Sequence, residues 1–192
     1  MKIHQVTMTG FGPYRDTETV DFDAFDDDGI FLITGRTGAG KTSILDAVTY
    51  ALFGSIPRYE GGAGEKVRSD HIGPTDPCRV TIELSTADGR FRVTRSPAYQ
   101  RPKQRGTGTT TAPPAFELAR LVGDEWEVVE SKTGNAEVRI EEIVRLSAKQ
   151  FQQVILLAQG QFQEFLVATS DKRRELLRML FDTRRFADYS DA

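Results

Sequence analysis

Residues 35–42 read Gly-Arg-Thr-Gly-Ala-Gly-Lys-Thr, a complete G-x-x-x-x-G-K-[ST] phosphate loop. No other stretch restricts the fold as strongly, because this pattern has meaning only between an apolar strand and the start of a helix. Both flanks are present. Ile30 to Thr34 (IFLIT) is a compact apolar run, and it predicts a strand buried on both faces, as in the centre of a parallel sheet. Lys41 to Phe53 places Ile44, Leu45, Val48, Leu52 and Phe53 at helical spacings, and Gly54 and Pro57 predict its end. From this composition the eight-residue pattern arises by chance in on the order of one in a hundred chains of this length, before its context is counted.

The chemistry accounts for the residue types. Gly35, Gly38 and Gly40 allow backbone conformations closed to residues with a Cβ, so successive amides of Arg36, Thr37, Ala39 and their neighbours can converge on phosphate oxygens at a helix N-terminus. Lys41 adds a point charge able to bridge β- and γ-phosphates. The Thr42 hydroxyl can ligate the Mg²⁺ that joins them, and Ser43 offers one more donor. Gly35 through Ser43 are therefore the candidate ATP-binding residues. Hydrolysis also needs an acid at the end of an apolar strand to hold Mg²⁺. Ile82-Glu83 and Val128-Val129-Glu130 are too polar upstream and sit in hairpins, while Val154 to Ala158 ends in Gln159. Half of a hydrolytic site is missing from these residues.

The remaining chain reads as a set of hairpins and helices. Lys2 to Thr9 alternates as a strand does, and Gly10 to Tyr14 (GFGPY) predicts a turn. Asp16 to Asp28 holds seven acids and no base, which predicts a short edge strand followed by a solvated loop. Arg79–Ser85 with Arg90–Arg95, and Phe116–Val122 with Glu125–Val129, are two hairpins around Asp88-Gly89 and Gly123-Asp124. They predict an antiparallel sheet beside the first element. Ser96 to Pro114, rich in Pro, Gly, Thr and base without apolar periodicity, predicts a mobile loop. Asn135 is placed to cap a helix to about Leu146, and Ser147 with Gln150 forms a capping box for a second helix. A third helix is predicted from Ser170.

At 192 residues with 39% hydrophobic and 28% charged content, one domain is the default. A net charge of −3 argues against a surface that is basic throughout, but a local basic patch remains open. Cys78 alone allows no internal disulfide and no Cys-cluster zinc site, which fits a reducing compartment. No apolar run approaches the ~20 residues of a membrane span, and Met1 to Gly10 lacks the apolar stretch of a signal peptide. A cytoplasmic protein with no membrane partner is expected. His4 and His71 are separated from each other and from paired acids, so neither is expected to serve catalysis or zinc. Trp126 is expected to pack, and Asp46 to serve local hydrogen bonding. Arg68 is open between a DNA or nucleotide contact and a solvated loop residue. Arg101, Lys103 and Arg105, with Tyr99 nearby, are open between phosphate contact and a solubilising loop.

The stretches FGPY (11–14), GIFLITGRTGAGKTSILDAVTYALFG (29–54), VRSD (67–70), RPKQRGTG (101–108), QFQQVILLAQGQFQEFL (150–166) and SDKRRELLRMLFDT (170–183), in this order, resemble the N-terminal ATPase lobe of the SbcC family. These are ABC-type relatives of SMC proteins that act in the bacterial SbcCD nuclease. The resemblance implies an α/β P-loop NTPase fold of ABC-ATPase type, N-terminal half, with an antiparallel β-subdomain and C-terminal helices starting a coiled coil. It places the lobe at 1–168 and the start of the coiled coil at 169–192. It aligns Gln159 with the family's Q-loop glutamine, which contacts Mg²⁺ and the attacking water, so that Lys41 and Gln159 become the candidate catalytic residues and Thr42 and Gln159 the candidate metal ligands. It implies ATP and Mg²⁺ as cofactors, and as partners a C-terminal lobe carrying the signature motif, a second SbcC head, the SbcD nuclease and double-stranded DNA ends, in DNA repair and recombination. By itself the chain is expected to turn over little ATP. Two other classes stay open on the residues alone: a self-contained P-loop phosphotransferase, and a nucleotide-independent DNA-binding scaffold.

Overall fold

The computed structural model describes residues 1–28, 31–56, 59, 64–103, 106–154 and 169–170. The chain divides into two compact units, Met1–Arg145 and Leu146–Ala192. In the first, alternation along the chain is converted directly into a six-stranded antiparallel sheet. Its strands are β1 (Lys2–Thr9), β2 (Thr17–Asp21), β3 (Arg79–Thr86), β4 (Gly89–Ser96), β7 (Ala115–Val122) and β8 (Glu125–Glu130), in the spatial order β2-β1-β3-β4-β7-β8. The first strand is thus not beside the hairpin sheet but inside it, because β1 pairs with β3 from Thr9↔Arg79 to Lys2↔Ser85.

One face of this sheet is apolar. Val6, Met8, Val80, Ile82, Leu84, Val93 and Leu118 are buried there, each at 1% exposure or less. Helix α1 (Lys41–Phe53) packs on β1, β3 and β4, and helix α2 (Ala136–Val144) packs on α1. Ala47, Val48, Ala51 and Leu52 of α1 and Ile140 of α2 complete the core. The opposite face is polar. Thr7–Thr19, Thr9–Thr17 and Thr81–Thr94 hydroxyl pairs run across it, and Arg90 and Arg92 both donate to Glu83. The Arg92 guanidinium lies 4.1 Å from the centre of the Trp126 ring, so this tryptophan packs, as its place in a hairpin implies.

Two sequence expectations fail. The first is the central parallel strand at Ile30–Thr34. Residues 31–34 form no strand, and Phe31 and Leu32 are 46% and 84% exposed. A strand exists only through a ladder, and no described strand runs beside this segment. Its apolar content instead gathers locally, with Phe31 set 5.5 Å from both Phe22 and Phe25. The second is the loop Ser96–Pro114. It contains a two-stranded antiparallel ribbon, β5 (Tyr99–Pro102) with β6 (Thr109–Ala112), in register from Tyr99↔Ala112 to Pro102↔Thr109. The β-branched threonines Thr109–Thr111 favour extended backbone, and solvent on both faces removes the apolar alternation by which a strand is read.

The acidic segment behaves as expected at its start, where β2 is an edge strand, but continues as a 3-10 turn over Asp23–Asp28. That turn is tied down by a histidine whose sequence position suggests isolation. His4 Nδ1 lies 2.9 Å from the Asp23 carboxylate and His4 Nε2 pairs with the Ser85 hydroxyl at 2.6 Å. Lys2 also pairs with Asp23 at 2.8 Å, and these two partners hold the Asp23 carboxyl below the usual range, Lys2 contributing most.

Asn135 sits at the start of α2 but makes no side-chain cap. Its amide donates to Glu130 instead, and Arg145 in the left-handed region ends the helix. In the second unit, Ser147 and Gln150 form the expected capping box of helix α3 (Ala148–Val154). The Ser147 amide donates to Gln150 Oε1 at 2.9 Å, and the Gln150 amide donates to Ser147 Oγ at 3.3 Å.

Cys78 is 1% exposed, and burial pushes its thiol up to about 12. The raised value keeps the protonated, unreactive form dominant well into alkaline solution. Iodoacetamide at about pH 8 is therefore expected to leave Cys78 unmodified in the folded chain and to alkylate it fully in urea. Mass spectrometry showing equal labelling in both would contradict the burial.

Candidate functional site: the phosphate loop and its braces

The loop is shaped by the two glycines that flank Ala39. Gly38 (φ 84°) and Gly40 (φ 89°) occupy the left-handed region, and Gly40 is the N-cap residue of α1. The Ala39 amide donates to Arg36 O at 3.1 Å, and the Ser43 amide donates to Gly40 O at 2.8 Å, which opens the helix. No side chain caps this N-terminus, so its amides and positive dipole end are available to an anion. Gly35, Arg36, Thr37, Gly38, Ala39 and Thr42 are all exposed.

Lys41 folds back over the loop. Its ammonium donates to the carbonyls of Gly35 (2.8 Å) and Arg36 (2.9 Å). These are neutral acceptors in an exposed setting, so phosphate oxygens, being charged, are stronger partners for the same donor. Ser43 differs from its sequence reading. Its side chain is buried against the FGPY turn, with Oγ 3.4 Å from where a Cβ on Gly12 would stand. It braces the helix start, whereas Thr42 beside it faces solvent.

The turn is held from a segment far away in sequence. The Tyr14 hydroxyl donates to Gly40 O at 3.0 Å, and an added Cβ on Gly40 would stand 2.6 Å from that hydroxyl oxygen. Burial and the nearby Glu18 raise the Tyr14 pKa, which keeps the donor proton in place. Phe11 stacks toward Tyr50 of α1, with centroids 5.8 Å apart. The Gly12 amide donates to Val67 O and the Ser69 amide to Gly10 O, both at 2.9 Å. FGPY, the phosphate loop and VRSD, spread over 60 residues of sequence, thus meet at one end of α1. A cavity of about 320 Å³ opens between them, lined by Ser43, Asp46, Lys66, Arg68, Asp70 and His71 among others.

Arg68 resolves toward architecture. It donates to the carbonyls of Gly73 and Asp76, both at 2.9 Å, and its guanidinium lies 5.6 Å from the Tyr99 ring centre. It therefore holds the 73–76 turn against the root of the β5–β6 ribbon. His71 lines the cavity, and Asp46 is buried on the inner side of α1. Gln159 and the helix from Ser170 lie outside the described residues, and no cluster of His, Cys, Asp and Glu able to hold a metal occurs among the described residues. No described helix is long and apolar enough to cross a membrane.

A brace that sequence reasoning missed closes the other end of α1. Arg95 of β4 is buried at 8% exposure and donates to the carbonyls of Ala51 (3.1 Å) and Leu52 (3.0 Å), with its guanidinium 4.8 Å from the Phe116 ring centre. The available signal is parity: Arg95 shares the inward register of Phe91 and Val93.

A glycine loop leading into a helix N-terminus, backed by an antiparallel sheet, defines a P-loop ATPase head, and the chain belongs to the AAA domain family, whose model matches residues 5–188. Within that class it resembles SbcC, the larger partner in the name of the SbcCD nuclease. It is 36% identical over 153 residues to the SbcC polypeptide of the Vibrio cholerae SbcCD nuclease, covering 80% of this chain and 15% of that protein. It is 34% identical over 186 residues to the Staphylococcus aureus SbcC polypeptide, covering 97% of this chain and 18% of that protein. The chain thus spans less than a fifth of the length of these relatives. Among solved structures, an SMC head domain from Thermotoga maritima aligns with 66% of this chain and 39% of its own, at 16% identity and a TM-score of 0.36.

Proposed function

We propose that the chain is the Mg²⁺-ATP-binding N-terminal lobe of an SbcC-like ATPase, comprising residues 1–168, with 169–192 beginning a coiled coil. The observation that carries this reading is the uncapped start of α1, where Gly38, Gly40 and Lys41 converge on a Tyr14-braced turn. Exposed loop amides bind the phosphates. Lys41 exchanges its two carbonyl partners for phosphate oxygens, and the exposed Thr42 hydroxyl holds the metal, with Gln159 as its second protein ligand and as the group that orients water. Bound Mg²⁺ supplies neutralisation of charge on the β- and γ-phosphates.

In this reading the acid and signature motif come from a C-terminal lobe, and two heads close over two nucleotides. The assembly then couples ATP turnover to the nuclease SbcD on double-stranded DNA ends and hairpins, in repair and recombination in the cytoplasm. The chain alone is expected to bind Mg²⁺-ATP saturably, with negligible turnover. Isothermal titration should give heat that weakens about ten- to a hundredfold in Lys41→Ala, the loss of a charged hydrogen bond worth roughly 1.5–3 kcal/mol. No heat on folded protein, or equal affinity in the variant, would remove the nucleotide reading. Turnover comparable with a whole ATPase would remove the divided-site reading and favour a self-contained phosphotransferase.

A further inference from the structure

Charge in this acidic chain is unevenly placed. Residues 89–116 contain Arg90, Arg92, Arg95, Arg101, Lys103 and Arg105 and no acid, in a protein of net charge −3. Three of these are committed within the sheet: Arg90 and Arg92 to Glu83, and Arg95 to the end of α1. The other three fall on the ribbon or in the segment that joins its strands. Lys103 is exposed, and its amide donates to Gly108 O at 3.1 Å, which draws the two strands together at that end.

The ribbon has the surface of a phosphate-binding element. Gly106 and Gly108 have φ of 81° and 98° with nothing within 4 Å of an added Cβ, so the backbone beyond the strands is slender and open. Thr107, Thr109 and Thr111 are exposed hydroxyl donors. The one aromatic, Tyr99, lies under the Arg68 guanidinium, so it is not a free platform for stacking an unpaired base. A two-stranded ribbon matches the major groove of B-form DNA, about 12 Å wide, and is excluded from the narrow major groove of A-form RNA.

We propose that the β5–β6 ribbon, through Arg101, Lys103 and Arg105, is a sequence-independent contact for the sugar-phosphate backbone of double-stranded B-form DNA. This site is separate from the phosphate loop and does not need nucleotide. It gives the proposed DNA partner a place on this chain, and its failure is separable from failure of the ATP site.

The test is fluorescence anisotropy of the chain with a labelled DNA duplex of about 20 base pairs, roughly two turns, across a salt series. The matching RNA duplex and DNA single strand run in parallel. Because each phosphate contact contributes about 0.9 to the slope of log affinity against log salt, the Arg101→Ala/Lys103→Ala/Arg105→Ala variant should flatten that slope by about 2 to 3. At about 0.1 M salt its affinity for the DNA duplex should fall at least about tenfold, with Mg²⁺-ATP titration unchanged. The charge-preserving Arg101→Lys/Lys103→Arg/Arg105→Lys variant should bind as the parent does. Lys132→Ala/Arg139→Ala, which removes charge near α2, should leave binding intact. An unaltered slope in the triple-alanine variant, an equal loss in the control, or tighter binding of RNA duplex or single strand overturns the proposal.

Discussion

Gly40→Ala is expected to destabilise the chain by roughly 2–5 kcal/mol and to abolish Mg²⁺-ATP binding, combining left-handed backbone strain with overpacking. The new Cβ would stand 2.6 Å from the Tyr14 hydroxyl and 2.9 Å from Pro13 Cγ, with φ at 89°. Neither neighbour is a free chain end: Tyr14 is bonded to Gly40 itself, and proline is rigid. Gly38→Ala provides the contrast. Its φ of 84° carries similar strain, but the added methyl meets nothing within 4 Å, so the expected cost is about 1–2 kcal/mol. Urea denaturation of both variants measures the difference. Equal destabilisation would mean that the FGPY turn does not brace the loop.

Arg95→Met is expected to cost about 3 kcal/mol, because two carbonyls at the C-terminal end of α1 lose a charged donor in a buried setting. For a chain of this size that corresponds to a fall in Tm of roughly 6–12 °C. Burial lowers the Arg95 pKa, yet a guanidinium stays charged at every accessible pH, so the deficit should be the same across the neutral range. Gly54, the left-handed C-cap of α1, lies against the same side chain, an added Cβ falling 2.7 Å from Arg95 Nη1. Arg95→Lys keeps the charge but not the fork, and should recover only part of the loss. Thermal unfolding of Arg95→Met within about 2 °C of the parent would show that water takes over these carbonyls, since about 1 kcal/mol moves Tm by that much.

What the sequence disclosed depended on range. Helix α1 is legible to its observed ends because its start is marked by the loop glycines and its stop by Gly54, all within or beside the element. Strands β1, β3, β4, β7 and β8 are legible because one face is buried and the other is not, which writes a period of two into the residues. The ribbon is not, since no face of it is apolar along its length. Ile30–Thr34 misleads because hydrophobicity marks a demand for cover, not the presence of a hydrogen-bonding neighbour. The braces Tyr14 and Arg95 are invisible for another reason. Each acts across 26 residues or more, and a single tyrosine or arginine in a turn or strand carries no local mark of its distant partner.

Those braces also fix how the molecule can respond. A helix of 13 residues is about 20 Å long, and α1 is fastened by Tyr14 at its front and Arg95 at its rear. A rod pinned at both ends cannot tilt or slide without breaking a fastening. Strain entering at the glycine cradle must therefore either be absorbed there or travel the whole rod to β4, the strand from which the basic ribbon departs.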